Sequence, residues 1–346
     1  MKRILLALVN GLGLFWLFHR FTRNTATVYM LHAITAGKTS DSRGAYSEEA
    51  AGALSADMLR QSLRYLRDHK YNVISLTEWV ERLEGHKPSY KTVVFTVDDG
   101  YRDFYEHAYP VFREFGYGAT IFTTSDFIEG RLFFWWDTIE YAFNHTTMTS
   151  LDLGVIELGP LSFATAVEKS DAIARFTKHC KTLKNEDKLT LIARLVSELG
   201  VDISGQPKGR YAPLSWNEML EMQKGGIEFY PHTKTHPIMT RIPRAQKEVE
   251  AAVPKALLEQ KLGRPANIFC YPNGGWSDFD DETIDVLRKA GYIAAVTGIT
   301  GFNLTTAENE MFKLWRFAIP DDMVTFKQHI SGFERFKRRV LYRMEA

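Results

Sequence analysis

Apolar residues recur along this chain in two alternating rhythms. Short apolar runs over 26–32, 72–76 and 91–97 read as strands, the last of them as a buried parallel strand. Between them apolar side chains return at helical spacing: Met58, Leu59, Leu63 and Leu66 predict a helix over 56–69. Thr77 is placed to cap a helix over 78–83. A helix over 103–115 and a strand over 119–123 follow. The rhythm resumes with a helix over 217–225, a strand over 227–230, a helix over 245–262 and a strand over 267–271. It ends with a helix over 281–290 and strands over 292–297 and 314–319. Repeated strand–helix units imply an α/β chain with a parallel sheet, closed or doubly wound.

The segment 131–212 breaks the rhythm. It predicts a short strand pair within 151–158 and helices over 163–181 and 185–199, the second with Leu189, Leu191, Ile192, Leu195 and Leu199 on one stripe. It reads as an insertion on the top face of the sheet, where substrate-shaping loops of α/β enzymes sit. The organisation expected is an apolar segment over 1–24, a body over 25–322 carrying the insertion, and a basic amphipathic helix over 323–346.

Composition narrows this picture. With 346 residues, 45% hydrophobic and 25% charged, the chain fits a globular enzyme with a large core. A formal net charge of +1 gives no support to a nucleic-acid partner. The two cysteines, Cys180 and Cys270, make no disulfide framework and do not choose a compartment.

The termini carry their own signals. Lys2 and Arg3 precede an apolar stretch that Asn10 and Gly11 interrupt and Arg20 and Arg23 close. Three readings stand: an uncleaved signal-anchor or membrane-associated helix, a helix packed on the body, and a cleaved signal. Near the other end Lys327, Arg335, Lys337, Arg338, Arg339 and Arg343 interleave with Phe333, Phe336, Val340, Leu341 and Tyr342. That pattern suits either an anionic membrane surface or a solvated helix laid on the domain.

The chemistry concentrates at strand ends. Asp98 and Asp99 follow the apolar run 91–97, and Gly100 follows them at once. Adjacent carboxylates near a core repel and lose solvation, so they make sense beside a cation; the alternative is a solvated Asp-Asp-Gly turn. His232 and His236 follow the strand over 227–230. On a helical turn that i, i+4 spacing lets both imidazoles reach one metal ion; the alternative is two surface histidines. Both groups lie at C-terminal ends of predicted strands, which converge on one face of a parallel barrel. A third segment, Phe269-Cys270-Tyr271-Pro272-Asn273-Gly274, runs from strand into turn and can aim a backbone N–H at a developing oxyanion.

The order Thr-x-Asp-Asp-Gly, His-Thr-x-x-His-Pro, Phe-x-Tyr-Pro-x-Gly resembles the polysaccharide deacetylases of carbohydrate esterase family 4. The resemblance extends from Ala26 to Ile319 and includes Met30-Leu31-His32, Trp135-Trp136-Asp137 and Pro213-Leu214-Ser215-Trp216. It implies a distorted (β/α) barrel with a metal at the C-terminal ends of the strands. Carried over by position, Asp99, His232 and His236 would hold the metal, most simply Zn, with Co, Ni or Mn as alternatives. Asp98 would be the general base, Thr233 would orient the histidine loop, and the Asn273 backbone N–H would serve the oxyanion. The activity implied is removal of N-acetyl groups from sugar units of a polysaccharide or glycolipid in bacterial surface assembly. Its setting would be the inner membrane or periplasm, with the cytoplasm as the alternative.

Two departures accompany the resemblance. Relatives often carry an arginine at the position of Cys270 that orients the base, and a late Leu-x-His motif whose histidine is the general acid. Neither is visible here. Arg316 on the last strand is a candidate to point into the site, and His32 or Asp98 itself could return the proton. The rivals are a same-fold hydrolase of a non-sugar amide and a sugar-binding module without turnover. Trp135, Trp136 and Trp216 read as sugar-stacking or core residues, Asp137 as a site residue or helix cap. Tyr271 and Pro272 read as pocket wall, and Cys270 as a small buried side chain.

Overall fold

The computed structural model describes residues 10–37, 53–203, 208–306 and 310–341. The apolar run 4–9 and the basic residue Arg343 lie outside these residues. Eight short strands carry the architecture: β1 (Ala26–Leu31), β2 (Asn72–Val73), β3 (Thr92–Val97), β4 (Thr120–Thr123), β5 (Glu228–Pro231), β6 (Ile268–Cys270), β7 (Ala294–Val296) and β8 (Phe317–Ala318). Six of them form one sheet in the order β8-β1-β3-β4-β5, with β2 on the N-terminal half of β3. β6 and β7 pair separately, and a parallel bridge from Val296 to Leu314 leads β7 towards β8. Every ladder among these eight is parallel, so their C-terminal ends face one way. Among the described residues no ladder joins β5 to β6. A side chain spans that gap: His232 Nδ1 lies 2.9 Å from the Cys270 carbonyl. The result is the distorted α/β barrel expected.

Burial explains the apolar runs. All six positions of β3 are buried, and Phe95, Phe112 and Phe122 are wholly enclosed between sheet and helices. The insertion builds a core of its own around Phe134, Phe143, Phe163, Phe176 and Leu195. Its strands are Ser150–Leu151 and Leu161–Ser162, antiparallel, and its helices Ala166–Thr182 and Asn185–Glu198. Leu189 stands 51% exposed, away from the buried stripe of Ile192, Leu195 and Leu199. Lys188 takes the inner position instead, with its ammonium 4.9 Å from the centre of the Trp135 ring. Burial draws that ammonium down to about 8.

Several boundaries differ from the expectations for local reasons. The second strand stops at Val73, and Ser75 rather than Thr77 caps the helix Leu76–Glu84, its Oγ accepting from Glu78 N–H at 3.1 Å. Thr77 Oγ1 is engaged elsewhere, 2.6 Å from the Tyr230 hydroxyl. The helix over 103–115 is two pieces, a π-helical turn Phe104–Ala108 and an α-helix Tyr109–Phe115. Pro110 has no N–H to close an i→i−4 bond, and the wider turn lies just before it. The last strand shortens to Phe317–Ala318, because Arg316 N–H turns to the Ile299 carbonyl at 3.0 Å.

The basic C-terminal segment is also two helices, Met323–Ile330 and Phe333–Leu341. They break at Gly332, whose φ is 84° and where a Cβ would stand 2.7 Å from the Phe18 carbonyl oxygen. Against the second helix packs a 3₁₀ helix, Leu14–Thr22, through Phe15 and Phe18 on Phe333 at ring separations of 6.0 and 4.8 Å.

The cap assignment is checked by Ser75→Ala. Loss of the Oγ acceptor is expected to lower unfolding stability by about 1 kcal/mol. An unchanged denaturation midpoint would contradict the assignment.

Candidate active site

β3 ends at Val97, and the next two residues are Asp98 and Asp99, only 3% and 4% exposed. Asp98 N–H still bonds the Leu31 carbonyl of β1 at 2.9 Å. Asp99 then takes a φ of 76° and Gly100 a φ of 91°. A Cβ on Gly100 would stand 3.0 Å from Ile128 Cδ1 and from Thr123 Cγ2, so the turn is built for glycine. Its sharpness sends the two carboxylates to different partners.

Asp98 meets Arg316. Arg316 Nη1 and Nη2 donate to Asp98 Oδ1 and Oδ2 at 2.7 and 2.8 Å, a bidentate pair. The guanidinium is itself fixed, with Nε on the Thr297 carbonyl at 2.8 Å and Nη1 on Thr96 Oγ1 at 2.9 Å. Cys270 Sγ lies 3.3 Å from Nη2. Burial alone would raise the Asp98 pKa, but the charge and hydrogen bonds of Arg316 outweigh it and hold the carboxyl well below the usual range. A guanidinium therefore stands at Asp98, brought from the approach to β8 instead of from position 270.

Asp99 meets the histidines. His232 Nε2 and His236 Nε2 lie 3.6 and 3.5 Å from Asp99 Oδ1, and 3.2 Å from each other. The histidine segment is a loop and not the helical turn expected. Thr233 and His236 have φ of 66° and 59°, and that coil brings the two Nε2 atoms together. Thr233 Oγ1 accepts from His236 N–H at 2.8 Å. Glu250 holds the loop from below, accepting from the N–H groups of Lys234 and Thr235 at 2.8 and 2.7 Å. With the Cys270 carbonyl as acceptor, His232 Nδ1 carries the proton and its Nε2 lone pair faces the centre. Burial lowers the His232 pKa to about 4, so its imidazole stays neutral, and a neutral ring is what a metal ion requires.

This donor set fits a cation. A tetrahedral ion with bonds of about 2.0–2.2 Å spaces its ligands about 3.3–3.6 Å apart, close to the 3.2, 3.5 and 3.6 Å found here. Two imidazoles and a carboxylate suit zinc or a neighbouring late divalent metal. Asp98, His232 and Cys270 also cluster. Arg316 already neutralises Asp98, however, and burial pushes the Cys270 thiol far above its ordinary value, so it stays protonated.

The triad opens into a cavity of about 580 Å³. His32, Asp98, Trp136 and Asn273 line it with the three ligand candidates, as do Lys181, Arg241 and Asp278 at its edges. His32 Nε2 stands 3.8 Å from Asp98 Oδ2, its side chain 30% exposed. Asn273 has a φ of 60°, and its N–H has no acceptor among the described residues. Trp136 meets the His236 ring at 4.6 Å and donates its Nε1–H to the Tyr101 hydroxyl at 3.1 Å.

Other expected residues lie elsewhere. Tyr271 does not wall the cavity; it is buried, stacked on Phe279 and bonded through its hydroxyl to the Phe312 carbonyl at 2.9 Å. Pro272 is buried behind the turn and is not among the lining residues. Trp135 belongs to the insertion core, and Asp137, within the first turn of the helix Trp135–His145, accepts from the Tyr101 hydroxyl at 2.6 Å. Trp216 bonds Glu129 Oε1 at 2.7 Å, away from the cavity. His329 packs half-buried against Tyr29 and Phe317, so no histidine from the C-terminal segment reaches the mouth among the described residues. Glu250 escaped the sequence reading. A signal existed: it falls in phase with Ala251, Pro254 and Leu258 on the buried face of the helix Arg244–Leu262.

Known proteins resemble this chain on both levels. The family model for polysaccharide deacetylase matches residues 85–150 and 180–295. The putative polysaccharide deacetylase YxkH of Bacillus subtilis is 22% identical over 262 residues, which cover 75% of this chain and 63% of that protein. The poly-β-1,6-N-acetyl-D-glucosamine N-deacetylase of Escherichia coli is 37% identical over 62 residues, 18% of this chain and 9% of the other. The match thus spans less than two thirds of either curated relative. Among solved structures, the Streptococcus pyogenes deacetylase PplD superposes with a TM-score of 0.56 at 20% identity, covering 86% of this chain and 94% of that one. The de-N-acetylase of Aggregatibacter actinomycetemcomitans gives 0.56 at 16% identity, covering 88% and 99%. These superpositions establish a shared fold. The family model reaches over more than half of the sequence and includes both carboxylates and both histidines, so the chain belongs to the polysaccharide deacetylase family.

Proposed function

We propose that this protein removes N-acetyl groups from the sugar units of a polysaccharide or glycolipid, with zinc as its divalent cation. The observation that carries this reading is the Asp99–His232–His236 triangle beside an Asp98 clamped by Arg316. A divalent cation at the triangle would supply Lewis acidity towards the acetamide carbonyl and acidify water at neutral pH. Asp98, held ionised, takes the proton of the attacking water. The Asn273 N–H, free of other acceptors, faces the oxygen that becomes negative. As the C–N bond breaks and acetate forms, the sugar amine needs a proton. His32, on the cavity wall and 3.8 Å from Asp98, is placed to return it. Trp136 and Phe134 cover the His236 ring and exclude water from that side.

The binding-module rival rests on a missing arginine and a missing late histidine. Arg316 supplies that guanidinium, which favours turnover. No helix among the described residues is long and apolar enough to cross a membrane. Placement at the inner membrane or in the periplasm, with surface contact through the termini, belongs to this reading.

The test pairs metal analysis with acetate release from a panel of N-acetylated glycans, glycolipids and non-sugar amides. Acetate from the sugars alone supports the proposal. Release only from non-sugar amides, or none with glycan binding retained, overturns it. Asp98→Asn is expected to lower kcat roughly 10²–10⁴-fold with metal retained; loss of metal would mean the two aspartates have exchanged roles. His232→Ala is expected to lose most of the metal by elemental analysis, and stoichiometric retention would refute its ligand role. Arg316→Lys keeps the charge but not the fork, so kcat should drop about tenfold or more while KM and metal content hold. An unaltered kcat would remove Arg316 from the positioning of the base.

A further inference from the structure

The packed termini leave an amphipathic surface that catalysis does not use. On the 3₁₀ helix and its preceding turn, Leu12, Trp16 and Leu17 are 68%, 62% and 47% exposed, and Val340 of the C-terminal helix is 54% exposed. Phe15 and Phe18 are spent on Phe333, so the outward apolar side chains are surplus to the fold. The same two segments carry exposed arginines. Arg20, Arg23 and Arg339 have no acidic partner among the described residues, whereas Lys337 and Arg338 are paired with Glu334. The residues that lead into this surface in sequence carry Lys2 and Arg3 and then Ile4-Leu5-Leu6-Ala7-Leu8-Val9. Exposed apolar side chains and unpaired cations on the same two segments match the interface of an anionic bilayer, with rings and aliphatics at acyl depth and guanidinium groups at phosphate depth.

The surface also has a definite place on the barrel. Lys91 N–H donates to Thr22 Oγ1 at 3.3 Å, Asn24 N–H to the Ser89 carbonyl at 2.6 Å, and the Tyr71 hydroxyl lies 3.2 Å from His19 Nε2. Residues 71, 89 and 91 all lie just before strands β2 and β3, so the 3₁₀-helix part of the surface sits at the N-terminal end of the barrel. The C-terminal helix runs from there along β8, with Arg338 over the Phe317 ring and on the Thr300 carbonyl. Asp98, His232 and Asn273 lie past the opposite ends. A strand of six residues separates the two poles by about 20 Å.

We infer that the surface of Leu12, Trp16, Leu17, Arg20, Arg23 and Arg339 docks on an anionic lipid bilayer and turns the catalytic mouth away from it. Resting on the deacetylase reading for its second half, this assigns as substrate an acetylated glycan chain that stands off the membrane, and not a glycolipid headgroup lying in it.

Vesicle sedimentation with the full chain tests the docking without any activity. Vesicles of phosphatidylglycerol and phosphatidylethanolamine should bind the protein, and phosphatidylcholine vesicles should not. The triple variant Arg20→Gln, Arg23→Gln, Arg339→Gln should lose about 100-fold in affinity, at roughly fivefold per arginine. Leu12→Ser with Trp16→Ser should lose binding too, with unchanged circular dichroism and metal content. Equal binding to both vesicle types, no binding, or a dimer that Trp16→Ser dissolves would each overturn the docking. Hydrogen exchange on the vesicle-bound protein tests the orientation. Protection should appear over residues 10–23 and 333–341 and be absent over 273–278, at the cavity rim. Protection of 273–278 would overturn the outward-facing mouth.

Discussion

The bidentate bond between Arg316 and Asp98 is the contact on which the site depends. Asp98 and Asp99 are adjacent, both out of water, and too close to ionise together without help. Left alone, burial would protonate one of them, and a protonated aspartate cannot accept a proton from water. Arg316 settles the choice in favour of an ionised Asp98, leaving Asp99 to the imidazoles. The arginine lies 218 positions away, so the ionised carboxylate proposed as the base is secured only once the chain has closed its sheet. That closure is the ladder of β8 on β1, with Tyr29 beside Phe317 and Met30 beside Ala318. The last strand is two residues long, yet it carries the side chain beside it into the centre of the barrel.

Around this bond the remaining parts divide the work by conformation. The left-handed turn at Asp99 separates two carboxylates that would otherwise compete for one cation. The positive φ values at Thr233 and His236 fold the second loop so that its imidazoles face Asp99. Such backbone is sustained only when its surroundings over-determine it. Here Glu250, Thr124 and Thr233 do so through hydrogen bonds to the loop backbone. The insertion contributes directly: Phe134 and Trp136 press their rings on His236, so a segment outside the strand–helix rhythm becomes part of the site's wall.

Much of this was legible in the sequence because strand ends of a parallel barrel share a face. Apolar runs located β1, β3, β4, β5, β6 and β7, and the polar residues just past three of them marked the site. What stayed hidden depends on contacts across the fold or on loop backbone. The spacing of His232 and His236 suggested a helical turn, and the left-handed residues that replace it leave no periodic trace. Tyr271 follows a strand as the site residues do, but its hydroxyl finds the Phe312 carbonyl in the interior. Asp137 was ambiguous until Tyr101 was known to face it. Glu250 was readable in principle, as a carboxylate on the apolar phase of its helix.

The cysteine at position 270 is explained by the same electrostatics. Arg316 fills the space between Thr96, Thr297 and Asp98, and Cys270 Sγ touches its edge. An arginine at 270 would have to enter the volume that this guanidinium occupies. It would also bring a second buried cation to a carboxylate whose two oxygens are already engaged. Burial of a charge without a partner is costly, so the two arrangements exclude one another. A small thiol, kept protonated by burial, leaves the room and adds no charge. Cys270 and Arg316 are therefore two halves of one solution. Asp98 here has one fixed guanidinium, delivered from the approach to β8.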